Sequence, residues 1–188
     1  IRDGANGASR LLLDLDVKFL TTDRVPGFII SDDPVVSYNQ YAEHHPDLQH
    51  CLATTGLSAK GLQLFLPVSP SVTIAVYDPS AYRYGSGQRR NCRVGPKDVA
   101  MLNQMQVIHA LRCVYYASDR ITDEAIRTLL VQRTKHSSVY EKRTLKSRIL
   151  DGPNGGKSQI VGAYGGEIRL GAKLDFIRLQ YHLRYPVF

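Results

Sequence analysis

Four consecutive residues near the start of the chain carry polar groups that could do chemistry. They are Ser31, Asp32, Asp33 and Pro34, and they directly follow the apolar run Phe28–Ile30. Aspartate disfavours strands, so two aspartates at the end of a β-like segment require an explanation. A carboxylate held at a strand end could act as a general base, as a metal ligand or as an anchor for a cationic group.

The same four residues also have a structural interpretation. Ser31 or Asp32 could accept hydrogen bonds from nearby backbone N–H groups in a turn. Pro34 would end the strand because it cannot donate a ladder hydrogen bond. No G-x-S-x-G segment surrounds Ser31, so the pattern does not indicate a hydrolase nucleophile. Both the functional and the structural interpretation remain open at this point.

A predicted helix over residues 96–118 supplies possible partners for these carboxylates. At about 100° per residue, Arg112 is the only charged residue on an otherwise apolar stripe. A buried arginine is unfavourable unless it is paired. We therefore expect Arg112 or Asn103 to meet Asp32 or Asp33 where the helix crosses the strand end. The alternative is that the Arg112 side chain extends to the surface.

The cationic side chains of the last third form a second group of candidate residues. The chain has a formal net charge of +7, and residues 133–188 hold eleven basic and four acidic side chains. Such a surface favours nucleic acid or another polyanion, although many proteins carry an equally basic solvated face. Apolar and polar residues alternate over 174–185, as in a half-buried strand. The candidate binding residues are Lys142, Arg143, Lys146, Arg148, Arg178 and Arg184.

A glycine-rich segment and a group of histidines are candidates for phosphate and metal sites, but neither fits the spacing that such a site needs. Residues 152–158 read GPNGGKS, but Asp151 stands where a phosphate-binding loop needs glycine, and the following residues are β-like. A hairpin turn is the better prediction. His44, His45 and His50 have no recognised ligand spacing. The sequence therefore assigns no metal site and no cofactor.

Cysteine use and hydropathy bear on the compartment. Cys51, Cys92 and Cys113 are widely separated and form no C-x-x-C pair, a pattern typical of a reducing environment. No apolar run approaches the length of a membrane span. We expect a cytoplasmic protein that makes no membrane contact.

Three segments together resemble a known family. They are FIISDDPVV at 28–36, GLQLFLPVSPSVTIAVYDP at 61–79, and the helix carrying Leu102-Asn103 and Ala110-Leu111-Arg112. This combination over residues 28–118 is similar to the bacterial family called domain of unknown function 4238. The resemblance marks Ser31, Asp32, Pro34 and Asn103 as family-type positions, whereas Arg112 matches more loosely.

The resemblance also has differences and consequences. Ile30 and Asp33 stand where the family typically has Thr and Asn. Family members usually carry a helical N-terminal half with a His-Tyr-Val-Pro-like motif that is absent here. The resemblance therefore implies that the chain is the C-terminal portion of a longer family protein, and it brings no established activity.

The elements that must position these residues can be placed along the chain. We predict a hairpin of Val17–Thr22 and Phe28–Ser31, and a second hairpin of Leu62–Val68 and Val72–Tyr77. Residues 39–60 and 82–93 are predicted loops, the latter basic and tyrosine-rich. A second helix begins after Thr122, a good N-cap. Strands over 139–149, 159–164 and 174–185 complete one α+β domain of residues 1–188, with a mainly antiparallel sheet and two helices packed on one face.

Two function classes follow from these residues. The first is an enzyme acting on nucleic acid or another phosphorylated substrate, with Asp32 and Asp33 as metal-binding or general-base carboxylates. The second is a non-catalytic binding or interaction module in which Ser31–Pro34 is a structural turn. The sequence does not decide whether the protein is an enzyme, and it assigns no oligomeric state.

Overall fold

The computed structural model describes residues 14–45, 54–57, 59–86, 89–140, 144–151, 157–164 and 170–180. Its strands are β1 (Asp16–Thr21), β2 (Ile30–Ser31), β3 (Val36–Tyr38), β4 (Gln63–Ser69), β5 (Val72–Tyr77), β6 (Tyr82–Tyr84), β7 (Asn91–Arg93), β8 (Val114–Tyr115), β9 (Thr144–Asp151), β10 (Lys157–Tyr164) and β11 (Ile177–Leu179). Its helices are α1 (Gln40–His44), α2 (Pro96–His109) and α3 (Asp123–Tyr140).

A five-stranded sheet in the order β3-β4-β5-β1-β7 forms the centre of the fold. All its pairings are antiparallel except that of β1 with β7, which is parallel. The predicted hairpin of β4 and β5 is confirmed, and its register shifts between Pro67 and Ser69. Proline fits there because an irregular position does not need its missing N–H group. The predicted α+β class with a mainly antiparallel sheet is confirmed.

The main core lies between this sheet and α2. Leu20, Phe65 and Ala75 of the sheet belong to the same buried cluster as Leu102 and Met105 of α2. Each of the leucine, phenylalanine and methionine side chains stabilises the fold by roughly 1.5–3 kcal/mol when fully buried. The helix that carries Asn103 is therefore held firmly against the sheet.

Helix α3 packs on α2 through a smaller cluster of Ile29, Val107, Ile121 and Ile126. The predicted N-cap is confirmed, since Thr122 Oγ1 accepts a hydrogen bond from the N–H of Ala125 at 3.2 Å. Among the helices of the described part, none is long and apolar enough to cross a membrane.

The first predicted hairpin is wrong. Strand β1 pairs with β5 and β7, whereas β2 pairs with β8, with Ile30 opposite Tyr115 and Ser31 opposite Val114. Closeness in sequence suggested a hairpin, but both edges of β1 are already occupied by strands from later in the chain. Segment β2 therefore lies against α2 and β8.

The predicted end of the first helix is also wrong. Helix α2 ends at His109, and Ala110 leaves helical geometry with φ −52° and ψ 133°. Asp32 accepts hydrogen bonds from the N–H groups of Leu111 and Arg112, both at 2.8 Å. A continuing helix would need those two groups for its own backbone ladder. The tertiary contact therefore takes precedence over the apolar periodicity of residues 108–116.

The predicted loop over 82–93 contains β6 and β7. Tyr82 and Tyr84 are core residues, each 1% exposed. Tyr84 stacks on Tyr77 with ring centroids 3.8 Å apart and contacts Phe176 edge-on. The alternation Tyr-Arg-Tyr is that of a half-buried strand, but three residues are too few for the pattern to be recognised.

Other predicted boundaries shift. The loop over 39–60 contains α1, and residues 139–140, predicted as strand, belong to α3. Strands β9 and β10 pair antiparallel as predicted, while the turn at 152–156 lies outside the described residues. Of the predicted strand 174–185, β11 covers Ile177–Leu179, and residues 181–188 are also outside the described part.

Candidate functional site

Asp32 is bound by the backbone that follows α2. Its Oδ1 accepts from the N–H of Leu111 and its Oδ2 from the N–H of Arg112, and its own N–H donates to the carbonyl of Cys113 at 3.1 Å. Desolvation raises the pKa of Asp32, but hydrogen bonds from the N–H groups of Leu111, Arg112 and Cys113 outweigh it and lower the pKa overall. This carboxylate is therefore held ionised as the anchor of a turn.

Ser31 is buried, and both its hydroxyl and its backbone N–H lie within hydrogen-bonding distance of acceptors. Its hydroxyl oxygen lies 2.7 Å from the carbonyl oxygen of Asp33 and 2.8 Å from Oε1 of Gln106, both of which are acceptors. Its N–H donates to the same Gln106 oxygen at 3.0 Å. Ser31 is 3% exposed, and its hydroxyl faces these two acceptors, so it is not presented to a substrate.

Asn103 and Gln106 tie residues 27–34, which we call the strand-end segment, to α2. Asn103 accepts from the N–H of Ile29 at 3.0 Å and donates to the carbonyl of Gly27 at 2.8 Å. Gln106 donates to the carbonyl of Pro34 at 2.8 Å. The two amides are three residues apart, so they lie on one side of the helix. They satisfy backbone groups that a neighbouring strand would otherwise satisfy.

The predicted meeting of helix and strand end therefore exists, but through other groups. The guanidinium of Arg112 is exposed, and only the backbone N–H of Arg112 contacts Asp32. Asn103 contacts backbone atoms rather than a carboxylate. Sequence reasoning missed Gln106, whose spacing from Asn103 within a buried helix face was the available signal.

Asp33 differs from its neighbours. It is half-buried, and its side chain makes none of the hydrogen bonds that tie Ser31 and Asp32 to α2 and the residues after it. Burial lowers the pKa of His109, and the charge of Asp33 acts in the opposite direction.

A second feature of the surface is a cavity of about 660 Å³, which we call the arginine pocket. It is lined by Thr21, Gly85, Ser86, Arg89, Arg90, Asn91, Cys92 and Arg93. The side chains of its three arginines are exposed. Residues 82–93 are recognisable as basic from the sequence, but the pocket is not, because Thr21 and the other β1 residues that hold residues 90–93 lie about 70 positions earlier in the chain.

Strand β1 fixes the backbone of the arginine pocket. Lys18 Nζ donates to the carbonyl of Arg89 at 2.6 Å, and the N–H of Phe19 donates to the carbonyl of Arg90 at 2.8 Å. The parallel ladder continues with Leu20 opposite Cys92. With their carbonyls held by the sheet, the two arginines place their guanidinium groups at the surface.

The wall of the pocket depends on a glycine. Gly85 has φ +54°, a left-handed conformation that side chains rarely adopt. A Cβ at this position would lie 3.0 Å from Cys92 Sγ. Burial raises the pKa of Cys92 despite the opposing charge of Lys18, so this thiol stays protonated near neutral pH. Cys92 is therefore a wall residue rather than a nucleophile.

One of the three arginines has an acidic partner. Arg93 forms an ion pair with Asp23, and both side chains are about two-thirds exposed. The hydrogen bond from Arg93 lowers the pKa of Asp23. Exposed pairs of this kind contribute at most about 1 kcal/mol, so an anion could compete for Arg93.

The predicted binding residues fall into three groups. Arg178 lies exposed on β11. Lys146 and Arg148 lie on β9, where they are paired with Gly162 and Ile160 of β10. Lys142, Arg143 and Arg184 lie outside the described residues. In the part of the chain that is described, no three His, Cys, Asp or Glu side chains are grouped as a metal site would require.

Comparison with known proteins identifies the family of the chain. No curated protein and no solved structure matches the chain. A family model described as "Protein of unknown function (DUF4238)" matches residues 1–120, a region that includes the strand-end segment, the arginine pocket and α2. The resemblance inferred from residues 28–118 is confirmed over a longer region, and the chain belongs to this family of proteins of unknown function.

Proposed function

We propose that this domain is a binding module for phosphate-bearing ligands, and that the ligand enters the arginine pocket. The observation that carries the proposal is the convergence of Arg89, Arg90 and Arg93 on one cavity of about 660 Å³. A guanidinium presents a planar set of donors that matches two phosphate oxygens at once. Arg89 and Arg90, on a backbone held by the sheet, form the centre of the anion site, and Arg93 can join them by exchanging its partner Asp23 for the ligand.

Electrostatics support the same ligand class. The formal net charge is +7, so the long-range field of the protein attracts polyanions. Arg89 and Arg90 have no acidic partner in the described part of the chain. Their charges are available to a ligand. Nucleic acid is the abundant cellular polyanion with this chemistry.

The contacts of the strand-end segment favour a structural role for its polar residues over a catalytic one. Ser31, Asp32 and Asn103 make their polar contacts to backbone groups or to Gln106. A general base or nucleophile needs a free position within hydrogen-bonding reach of the substrate. These three residues serve instead as ties between α2 and the segment 27–34.

The test is binding of a fluorescent ten-nucleotide single strand, measured by anisotropy near physiological salt. Arg89→Gln and Arg90→Gln should each weaken binding by about tenfold, the loss expected for one charge-assisted hydrogen bond. Arg127→Gln removes the same charge from the exposed surface of α3 and should change affinity less than twofold. Equal losses in all three variants would mean that general charge, rather than the pocket, binds the strand.

A catalytic role is the alternative, and its candidate groups are Asp33 and His109, because the charge of Asp33 opposes the lowering of the His109 pKa by burial. An Asp–His pair at a strand end could act as a general base toward a phosphorylated substrate. Under that alternative, Asp33→Asn abolishes phosphoester hydrolysis in a panel of nucleotide and oligonucleotide substrates without lowering the melting temperature. Wild-type protein with no hydrolysis on the panel would exclude this pair as the centre of such an activity.

A further inference from the structure

Two arginines face each other on a ribbon next to the arginine pocket. Strands β6 and β11 pair antiparallel, with Arg178 opposite Arg83. The flanking residues Tyr82 and Tyr84 are buried, so Arg83 points to the opposite, outer face of the ribbon. Arg178 is likewise exposed on β11. Both guanidinium groups therefore project from the same outer face.

This arrangement is unfavourable for the protein by itself. Directly opposite residues on paired strands have Cβ atoms about 5 Å apart, and like charges there destabilise the pair. In the described part of the chain, neither Arg83 nor Arg178 has an ion pair or a side-chain hydrogen bond. The ribbon is anchored in the core by Tyr82 and Tyr84 on its buried face. An anion lying between the guanidinium groups would convert repulsion into attraction.

The pair is continuous with the arginine pocket. Arg83 precedes Gly85, a pocket residue, by two positions. Two strand residues span about 7 Å, which is within the reach of an arginine side chain. The N–H of Gly85 donates to the carbonyl of Phe176 at 3.0 Å, and Phe176 in turn precedes Arg178 by two positions. The ribbon and the pocket wall are thus joined by their backbones.

We propose that Arg83 and Arg178 form a second phosphate subsite that extends the arginine pocket. The inference rests on the proposed function and makes it more specific. The ligand carries several phosphates in a chain, either the phosphodiester backbone of a single strand or a condensed phosphate. One phosphate occupies the pocket and a neighbouring phosphate lies between Arg83 and Arg178.

The experiment compares three probes: inorganic phosphate, tripolyphosphate and a ten-nucleotide single strand. Binding is followed by the ligand-induced rise in melting temperature, and for the strand also by anisotropy. Arg83→Gln and Arg178→Gln should each weaken binding of the chain-like probes by about tenfold and change binding of inorganic phosphate less than twofold. Arg127→Gln should leave all three within twofold.

The melting temperatures of Arg83→Gln and Arg178→Gln without ligand show whether either substitution damages the fold. Without ligand at low salt, either glutamine variant should melt at or above the wild-type temperature, because it removes the repulsion. Weakened binding then cannot come from a damaged ribbon. Arg83→Lys keeps the charge without the planar donor set, and should recover part of the lost affinity.

The outcomes separate the two proposals. Unchanged binding in Arg83→Gln and Arg178→Gln, with weakened binding in Arg89→Gln, would overturn the second subsite and leave the pocket standing. Failure of the wild type to bind any probe would overturn both. A loss confined to the oligonucleotide supports the subsite and identifies nucleic acid as the source of the phosphates. A loss confined to tripolyphosphate supports it and identifies condensed phosphate.

Discussion

At the scale of single residues, Asp32 is the most informative side chain of the strand-end segment. Both carboxylate oxygens accept backbone N–H groups, and its pKa is lowered from the ordinary value of 3.8. A lowered folded-state pKa means that the stabilisation is present above pH 3.8 and is lost as pH falls through the folded-state pKa. The residue therefore links stability to pH in a defined direction.

We predict that Asp32→Asn lowers the melting temperature at pH 7, because the amide can offer one acceptor where the carboxylate offers two. The difference from wild type should shrink as pH falls below 3.8, where the carboxylate of the wild type also loses its charge. Thermal denaturation across pH measures this. Asp119→Asn, at an exposed turn, is the matched control. A difference that stays constant with pH would contradict the assigned role.

Asn103 gives a second prediction at this scale. Asn103→Ala leaves the N–H of Ile29 and the carbonyl of Gly27 without their partner in a buried region. An unsatisfied buried group costs about 1–3 kcal/mol, so the free energy of unfolding should fall by at least that amount. Chemical denaturation measures it. Gln104→Ala changes a half-buried neighbour on the same helix and should change stability less than 0.5 kcal/mol.

At the scale of elements, β1 positions the arginine pocket. We predict that Lys18→Met weakens binding of a single strand severalfold although Lys18 is buried and does not line the pocket. The reason is loss of the Lys18 bond to the carbonyl of Arg89. Hydrogen exchange should accelerate at the amides of residues 89–93 and stay unchanged in α2. Faster exchange in both regions would indicate general destabilisation instead.

What could be predicted from the sequence depends on how local each element is. The hairpin of β4 and β5 and the starts of α2 and α3 are specified by short-range signals, namely Ser69-Pro70-Ser71, Pro96 and Thr122. The end of α2 could not be predicted, since Asp32 lies 79 residues from Leu111. Strands β2, β6 and β7 span two or three residues each, too few to display a period.

The residues of the candidate sites also differ in whether a local sequence pattern reveals them. Ser31 and Asp32 are recognisable because polar residues interrupt an apolar pattern, and Asn103 because of its place on the predicted helix and the family resemblance. The arginine pocket is not recognisable from the sequence, because the backbone of residues 89–93 is held in place by β1, which lies beside β7 in parallel. Parallel neighbours are joined by long connections, so this contact leaves no trace in local sequence. Arg178 was identified from alternation, whereas its partner Arg83 emerges only from the register of the ribbon.

At the scale of the whole molecule, the two polar features have different roles. The strand-end segment holds α2 and the small β2–β8 pair together with satisfied, buried polar groups. In the described part of the chain, Arg89 and Arg90 of the arginine pocket and the Arg83–Arg178 pair expose positive charge that has no acidic partner. A rigid framework beneath exposed arginines is suited to binding an anion without rearrangement.

The salt dependence of single-strand binding tests the central claim most directly. For single strands, log K falls with log salt concentration by about 0.7 for each phosphate contact. We predict that the slope becomes shallower by about 0.7 in Arg89→Gln and again in the double variant with Arg90→Gln, while Arg127→Gln keeps the wild-type slope. A slope that is the same in all four proteins would contradict the arginine pocket as the phosphate site.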